Sequence, residues 1–442
     1  MKGIQLHENL HQFIRHIESI KDTYPMTLLL LNPYQKRTNQ KMVKFMEDNV
    51  EEIEDEDGEK MFAIKFEQHR LYESLSKNAE ISSLAIKTIP ESLFVALISQ
   101  YDAFFNRLLR ALFELQPEYL NNSERTINFS QLVEFTSIED AREYVIEKEV
   151  ETVLRKSHTA HFEYLETKLS MPLRKNLPVW QKFIEITERR NLFVHCDGIV
   201  SSQYIKVCKE NKCKIGEIKV NDTQSVPLEY FNESYECLYE IATKLTHTLW
   251  RKLIKSDLKS ADGKLNEICY DLMSSKQYKL ADIMLEFSCA QTKHFDDAIS
   301  NIFTVNKALS QYLQKNKKKA KEIINAKDWS ASSDDFKLAH LALTDDFEGC
   351  FLLMKKMGSD GEVDKENYMT WPLFTELRQK EEFKTIFKEL FGEEYTVLEI
   401  PERPIQELIA ERIKDNPKLK EKTVSKKKPK TKAKAELSKE EE

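Results

Sequence analysis

The sequence predicts an all-α protein, and three observations carry that reading. Apolar residues recur at spacings of three and four along most of the chain, the period of a single helix face. Only nine Gly and twelve Pro interrupt 442 residues, which favours long helices with few tight turns. An apolar content of 41% is enough for real cores at a length that accommodates two or three domains. Net charge is −7, so no global basic field recruits nucleic acid, and any RNA contact has to come from a local groove. Seven Cys, at 196, 208, 213, 237, 269, 289 and 350, argue against a disulfide scaffold and for a reduced, cytoplasmic setting. The N-terminus lacks an apolar core and the most apolar run, Met26 to Leu31, is too short to cross a bilayer. A soluble protein with no membrane span is expected.

In chain order, residues 1–87 read as a helical lead-in. Leu6, Leu10, Phe13, Ile14 and Ile17 make one amphipathic face, and Met42 to Met46 begins another helical stretch. Glu47 to Glu59 is an acidic interruption without the alternating ligands and terminal Glu of a calcium loop, so a solvated linker is expected. From Pro90, which suits a first turn, Leu93, Phe94, Leu97, Ile98, Tyr101, Phe104, Phe105, Leu108, Leu109 and Leu112 give the wide stripe of a bundle's core helix. Asp102 sits inside that stripe. It reads either as a buried, hydrogen-bonded carboxylate that orients a neighbour or as an acid that leans toward His195.

Residues 118–176 read as further helices, with a short apolar piece at Leu132 to Phe135 and then Ala141, Val145, Val150 and Leu154 at helical spacing. His158 and His161, three apart and close to Glu163, offer a two-His metal site, but no third ligand stands at a recognised distance. A solvated face is the default there. A helix then runs from near Leu177, with Val179, Trp180, Phe183, Ile186 and Phe193 in period. Its last turns, Glu188-Arg189-Arg190-Asn191-Leu192-Phe193-Val194-His195, place Glu188, Asn191 and His195 on one narrow face. Arg190, five residues before His195, points about 140° away around the axis, so its guanidinium reaches around or serves a second copy of the helix. The plainer account is a surface helix end, where a His complements the macrodipole and Arg and Glu solvate the outer face.

Tyr204 to Cys208 and Cys213 to Val220 alternate, Ile205 and Val207 against Ile218 and Val220 with Asn211 between them, which predicts a small β-hairpin. A zinc site using Cys208 and Cys213 with Cys196 and His195 is the lesser reading, because the pair is not tight and no second pair follows. Tyr230 to Leu253 resumes a helical period. Beyond Ser256 come helix pairs with short polar breaks: Ala281 to Ser288 with Ile299 to Leu313, Ala320 to Ile324, Phe336 to Leu343 with Phe347 to Met357, and Trp371 to Leu377 with Phe383 to Phe391. From 401 the apolar faces are lost. Residues 413–442 hold eleven Lys against six acids, the composition of a disordered tail.

Arg190-Asn191, three apolar residues, His195, then Gly198-Ile199-Val200 and Tyr204 resembles the core motif of HEPN domains, helical bundles whose characterised members are often metal-independent ribonucleases. The resemblance covers roughly residues 88–255, with the helices around Leu93 to Leu115 and Tyr230 to Leu253 completing the bundle. It implies an RNA substrate, catalysis by Arg190 and His195, and a homodimer whose two motifs face one groove. Asn191, Glu188, Asp102 and Arg189 would support them, with no cofactor and no metal. The residue types suit that chemistry: an imidazole exchanges protons near neutrality, and a guanidinium matches a phosphate gathering charge. The implied products are a 2′,3′-cyclic phosphate and a 5′-hydroxyl, and the implied role is a toxin or abortive-infection effector of bacterial defence. The alternative is a non-catalytic module that dimerises or holds a nucleotide or protein.

Residues 256–400, with Ala281, Ala308, Ala320 and Ala339 set amid Tyr, Phe and Leu, resemble tetratricopeptide-like repeats, a non-repeat bundle being the alternative. Such an array implies a concave surface for a protein partner or a trigger.

Overall fold

A computed structural model describes residues 2–54, 60–120, 127–175 and 177–397. Among them the chain is mostly helical: α1 (Lys2–Asn49), α2 (His69–Leu115), α3 (Phe129–Glu134), α4 (Ile138–Leu154), α5 (His158–Leu169), α6 (Trp180–His195), α7 (Ser202–Glu210) and α8 (Leu228–Leu253). There follow α9 (Leu258–Ser274), α10 (Tyr278–Cys289), α11 (Asp297–Leu313), α12 (Lys317–Asn325), α13 (Asp334–Thr344), α14 (Phe347–Met357), α15 (Lys365–Thr370) and α16 (Glu381–Phe391). The all-α class stands, and the Lys-rich tail falls outside the described residues.

The strands are not where alternation placed them. The hairpin expected between Tyr204 and Val220 is not formed, because Tyr204 to Cys208 lies in α7. Ser201 caps that helix by accepting from the Tyr204 backbone N–H at 3.1 Å, and Tyr204 and Cys208, four apart, are its buried pair. Pairing instead closes the base of the loop, where Ile199 bridges Thr223 and the Val200 N–H donates to the Asp222 carbonyl at 2.9 Å. The hairpin that does form is antiparallel, β1 (Val50–Glu54) against β2 (Lys60–Ile64), with Val50 opposite Ile64. Part of the expected acidic linker is therefore a strand, and residues 55–59 lie outside the described set.

Other corrections concern helix ends. Met42 to Met46 opens no new helix, since α1 continues through Pro25 and Pro33, and Pro90 lies inside α2 rather than in a first turn. Each Pro removes one N–H from a ladder of more than forty residues, and neighbouring bonds carry the helix past it. Trp371 to Leu377 is two short 3₁₀ turns, Pro372–Phe374 and Leu377–Gln379. The Arg378 guanidinium locks them by donating to the carbonyls of Tyr368 at 3.1 Å and Trp371 at 2.9 Å.

The described residues form two compact units, one of residues 2–24 with 83–397 and one of residues 25–82. In the smaller, Phe45 and Tyr72 meet at 6.1 Å and the Thr38 and Ser82 hydroxyls hydrogen-bond at 2.7 Å. The larger is built on the stripe read from α2, with Phe94, Leu97, Ile98, Tyr101, Phe104, Phe105, Leu108 and Leu109 all buried. Leu6, Leu10, Phe13 and Ile17 of α1 are buried in the same unit, Phe13 stacking obliquely on Phe104 at 5.0 Å. Over Phe66–Leu115 the chain is long and apolar enough to cross a bilayer by length and composition alone, a longer apolar stretch than Met26 to Leu31, although a core helix shares that property. From α8 to α14 each helix packs on its successor, with α8 also on α10, α9 on α11 and α11 on α13, and α16 packs on α14.

Helix ends are closed in an uncommon way. At Ser170, Lys212, Lys276, Lys315 and Asp345 a residue with a Cβ takes the left-handed conformation (φ 50 to 65°) in which glycine is usual. Each stop carries the paired hydrogen bonds of a Schellman motif, for instance Gln277 N–H to the Leu272 carbonyl at 2.8 Å and Lys276 N–H to the Met273 carbonyl at 3.0 Å.

Candidate functional site

The last turns of α6 send two consecutive arginines to different destinations, as the 100° step between neighbours requires. Arg189 turns inward. Its Nε donates to Glu185 at 2.7 Å and its guanidinium lies 4.0 Å over the Tyr230 ring. The buried Glu185 carboxylate also accepts from the hydroxyls of Tyr204 at 2.9 Å and Tyr230 at 2.8 Å. Burial pushes both tyrosines up, Glu185 adding to the effect, and Arg189 is held above its ordinary value because its partners outweigh its own burial. Of the residues expected to support catalysis, Arg189 is thus bound into the core of the bundle.

Arg190 points to α2 and α5. Its Nη2 donates to Asp102 at 2.6 Å and its Nη1 to the Asn191 side-chain oxygen at 3.2 Å, while its Nε is buried with no partner. The other Asp102 oxygen accepts from His158 Nε2 at 2.8 Å. Burial alone would raise the Asp102 carboxyl, but the hydrogen bond and charge of His158 and the charge of Arg190 prevail and hold it below its ordinary 3.8. Glu188 completes the cluster: burial raises its carboxyl, opposed by nearby His158 and by a hydrogen bond with Asn191. Arg190 and Asp102 keep 22% and 29% of their side-chain surface, so the cluster is reachable from solvent.

His195 closes α6, exposed, and joins none of these bonds among the described residues. It is followed by a turn that only glycine fits. Gly198 has φ +79°, and a Cβ there would meet the Phe193 ring at 3.0 Å and the Gln224 carbonyl at 3.2 Å. Phe193 in turn packs edge-on against Phe94 of α2 at 5.8 Å, which fixes the end of α6.

The structure therefore brings Arg190, Asn191, Glu188 and Asp102 together, leaves His195 apart, and adds a residue the spacing could not reveal. His158 is 56 positions from Asp102 and reads from sequence as half of a coincidental pair. The other half, His161, is stacked on Phe105 at 4.8 Å with both ring nitrogens unpartnered, and burial lowers it to about 4. It belongs to the core. Among the described residues no group of three or more His, Cys, Asp or Glu is arranged to hold a metal ion, so neither the histidine pair nor the 196–213 cysteines form such a set.

Compared with known proteins, the chain matches no family model, no curated protein and no solved structure.

Proposed function

We propose that this chain is a metal-independent endoribonuclease of the HEPN type, acting as a toxin or abortive-infection effector. His195 exchanges the proton of a ribose 2′-hydroxyl or of the leaving 5′-oxygen, and Arg190 neutralises the phosphate as it gathers charge. The oxygen attack leaves a 2′,3′-cyclic phosphate on one fragment and a 5′-hydroxyl on the other. Arg190 and His195 sit about 140° apart on α6, so acting on one phosphate takes two copies of the helix, which is the reason to expect a homodimer. The packing of α8 to α14, each helix on its next, with α8 on α10, α9 on α11 and α11 on α13, supports a tetratricopeptide-like array that receives a protein or trigger.

One observation carries the catalytic reading. Arg190 is the more exposed of the two arginines, with 22% of its side-chain surface open against 12% for Arg189, and is aimed by Asp102, which His158 aims in turn, on the helix whose exposed last residue is His195. The 2.6 Å bond from Arg190 to Asp102 favours the second reading, a module that binds a nucleotide or protein and cuts nothing, since it already neutralises the guanidinium. RNA incubated with the full-length protein and a chelator separates the two. Cutting by wild type that is lost in His195→Ala and in Arg190→Ala, with helicity unchanged, is expected. Absence of cutting by wild type, together with harmless expression in a bacterium, selects the binding module.

A further inference from the structure

The stop of α7 brings two thiols together. Lys212 takes the left-handed position at φ 56°, the Lys212 N–H donates to the Lys209 carbonyl at 3.1 Å, and the Cys213 N–H donates to the Cys208 carbonyl at 2.8 Å. This motif sets the side chains on either side of the stop against each other. At the equivalent place after α11 the contact is an amide pair, Asn316 Nδ2 donating to Gln311 Oε1 at 3.1 Å. At α7 it is a pair of cysteines, Cys213 packing against the buried cluster that holds Cys208. A 2.8 Å bond from N to O, added to the standard N–Cα and Cα-to-carbonyl-oxygen lengths, keeps the two Cα atoms within about 6.7 Å, inside the span of a disulfide.

The two sulfurs have unlike surroundings. Cys208 is fully buried with Leu192, Val200 and Tyr204. Cys213 is half-buried and lines an open cleft of about 810 Å³ with Lys209, Lys214 and Lys219 around it and Glu217 as the one acid. Hydrogen bonding from Cys208 holds the Cys213 thiol below its ordinary range, while that bond and burial push Cys208 up. Solvent reaches the Cys213 sulfur, and the Cys208 sulfur lies behind it.

We propose that Cys213 and Cys208 are a peroxide-reactive dithiol, Cys213 the attacking and Cys208 the resolving sulfur. The Cys213 thiolate attacks one oxygen of a hydroperoxide, the O–O bond breaks, and the departing oxygen takes a proton to leave as water or an alcohol. Cys213 is then a sulfenic acid. The Cys208 thiol loses its proton and attacks that sulfur, the S–O bond breaks, and hydroxide takes the proton to leave as water. In sum, two thiols and one hydroperoxide give one disulfide, one water and one water or alcohol. The bridge ties the end of α7 to the loop at Ile215 and Ile218 that packs against the cluster of Leu192, Val200, Tyr204 and Cys208.

The test uses the full-length protein, one equivalent of hydrogen peroxide and tryptic digestion without reduction. Lys209 and Lys212 lie between the cysteines, so the bridge appears as two linked peptides about 2 Da lighter than the sum of the free ones. That linked pair is expected, with Cys213 consumed at least about tenfold faster than the exposed Cys289. In Cys208→Ala the oxidation stops at a sulfenic acid on Cys213 that dimedone traps, and in Cys213→Ser the Cys208 thiol survives. Should Cys208→Ala lose its helical circular dichroism, the wild-type peptide map and the two labelling rates decide alone. Free thiols at both positions after peroxide has consumed other cysteines, or separate over-oxidation of the two without a link, overturns the proposal.

Discussion

Arg189 and Arg190 are neighbours on one helix and yet serve different ends. Around Arg189 the donors and acceptors are balanced: one carboxylate, Glu185, takes bonds from a guanidinium and two phenols, and an aromatic ring covers the charge. Around Arg190 the balance is incomplete, with an unpartnered Nε, a carboxylate shared with His158, and side chains that still meet solvent. A satisfied buried network holds elements together, whereas a half-open one keeps binding capacity in reserve. The difference teaches that residue type says little about role here and that the direction of the side chain around the helix says most.

The sharpest way to break that comparison is to truncate each arginine in turn. His195→Ala and Arg190→Ala are expected to lower RNA cleavage by about 10²–10⁴-fold with helicity retained. Arg189→Ala is expected to lose stability while each folded molecule keeps its activity, and equal loss of activity in all three would erase the distinction. Next in size, Glu185→Ala strands Arg189 and two tyrosines and should cost about 3–5 kcal/mol in denaturant unfolding. A cost under about 1 kcal/mol would mean that the network is not structural.

Acid should act on the other face of the cluster. His161 titrates at about 4 in the fold against 6.5 in the unfolded chain, so unfolding takes up its proton first. Its stabilisation is complete above pH 6.5 and falls away between there and pH 4, by about 3 kcal/mol in all. His161→Phe should flatten unfolding free energy across that window, and an unchanged slope would place the acid sensitivity elsewhere. Asp102 works at lower pH: its stabilisation is present above its ordinary 3.8 and is lost as pH falls through its depressed value. Near neutrality Asp102→Asn should cost about 1–2 kcal/mol, a deficit that shrinks when both proteins are compared under strong acid.

Much of the fold is legible in the order of residues, because helix faces announce themselves by period. Leu6 to Ile17 and Phe94 to Leu112 are buried as their spacing predicts. Where two periods overlap in a short stretch, the spacing misleads: Ile205 and Val207 suggest a strand, but the buried pair Tyr204 and Cys208 belongs to a helical turn. The real hairpin escapes notice because β1 is mostly acidic and has no apolar face to declare it. Within the site, the polar stripe read on α6 is met only in part: Glu188 and Asn191 face each other, and His195 stands apart. The bond between Asp102 and His158 cannot be read from the sequence, since it joins α2 to α5 through tertiary packing alone.

The helix stops that dispense with glycine leave room for thermal hardening. Ser170, Lys276 and Lys315 each hold a Cβ where the backbone favours none, and glycine at any of them should raise the unfolding temperature, with a gain of up to about 1 kcal/mol per position. Asp345 is the exception, because its carboxylate accepts from Tyr312 at 2.8 Å and from Lys317 at 2.9 Å and pairs with Lys321 at 2.9 Å, so the same exchange would loosen that corner. Heat tolerance in this chain can thus be adjusted at its bends without touching the helices between them.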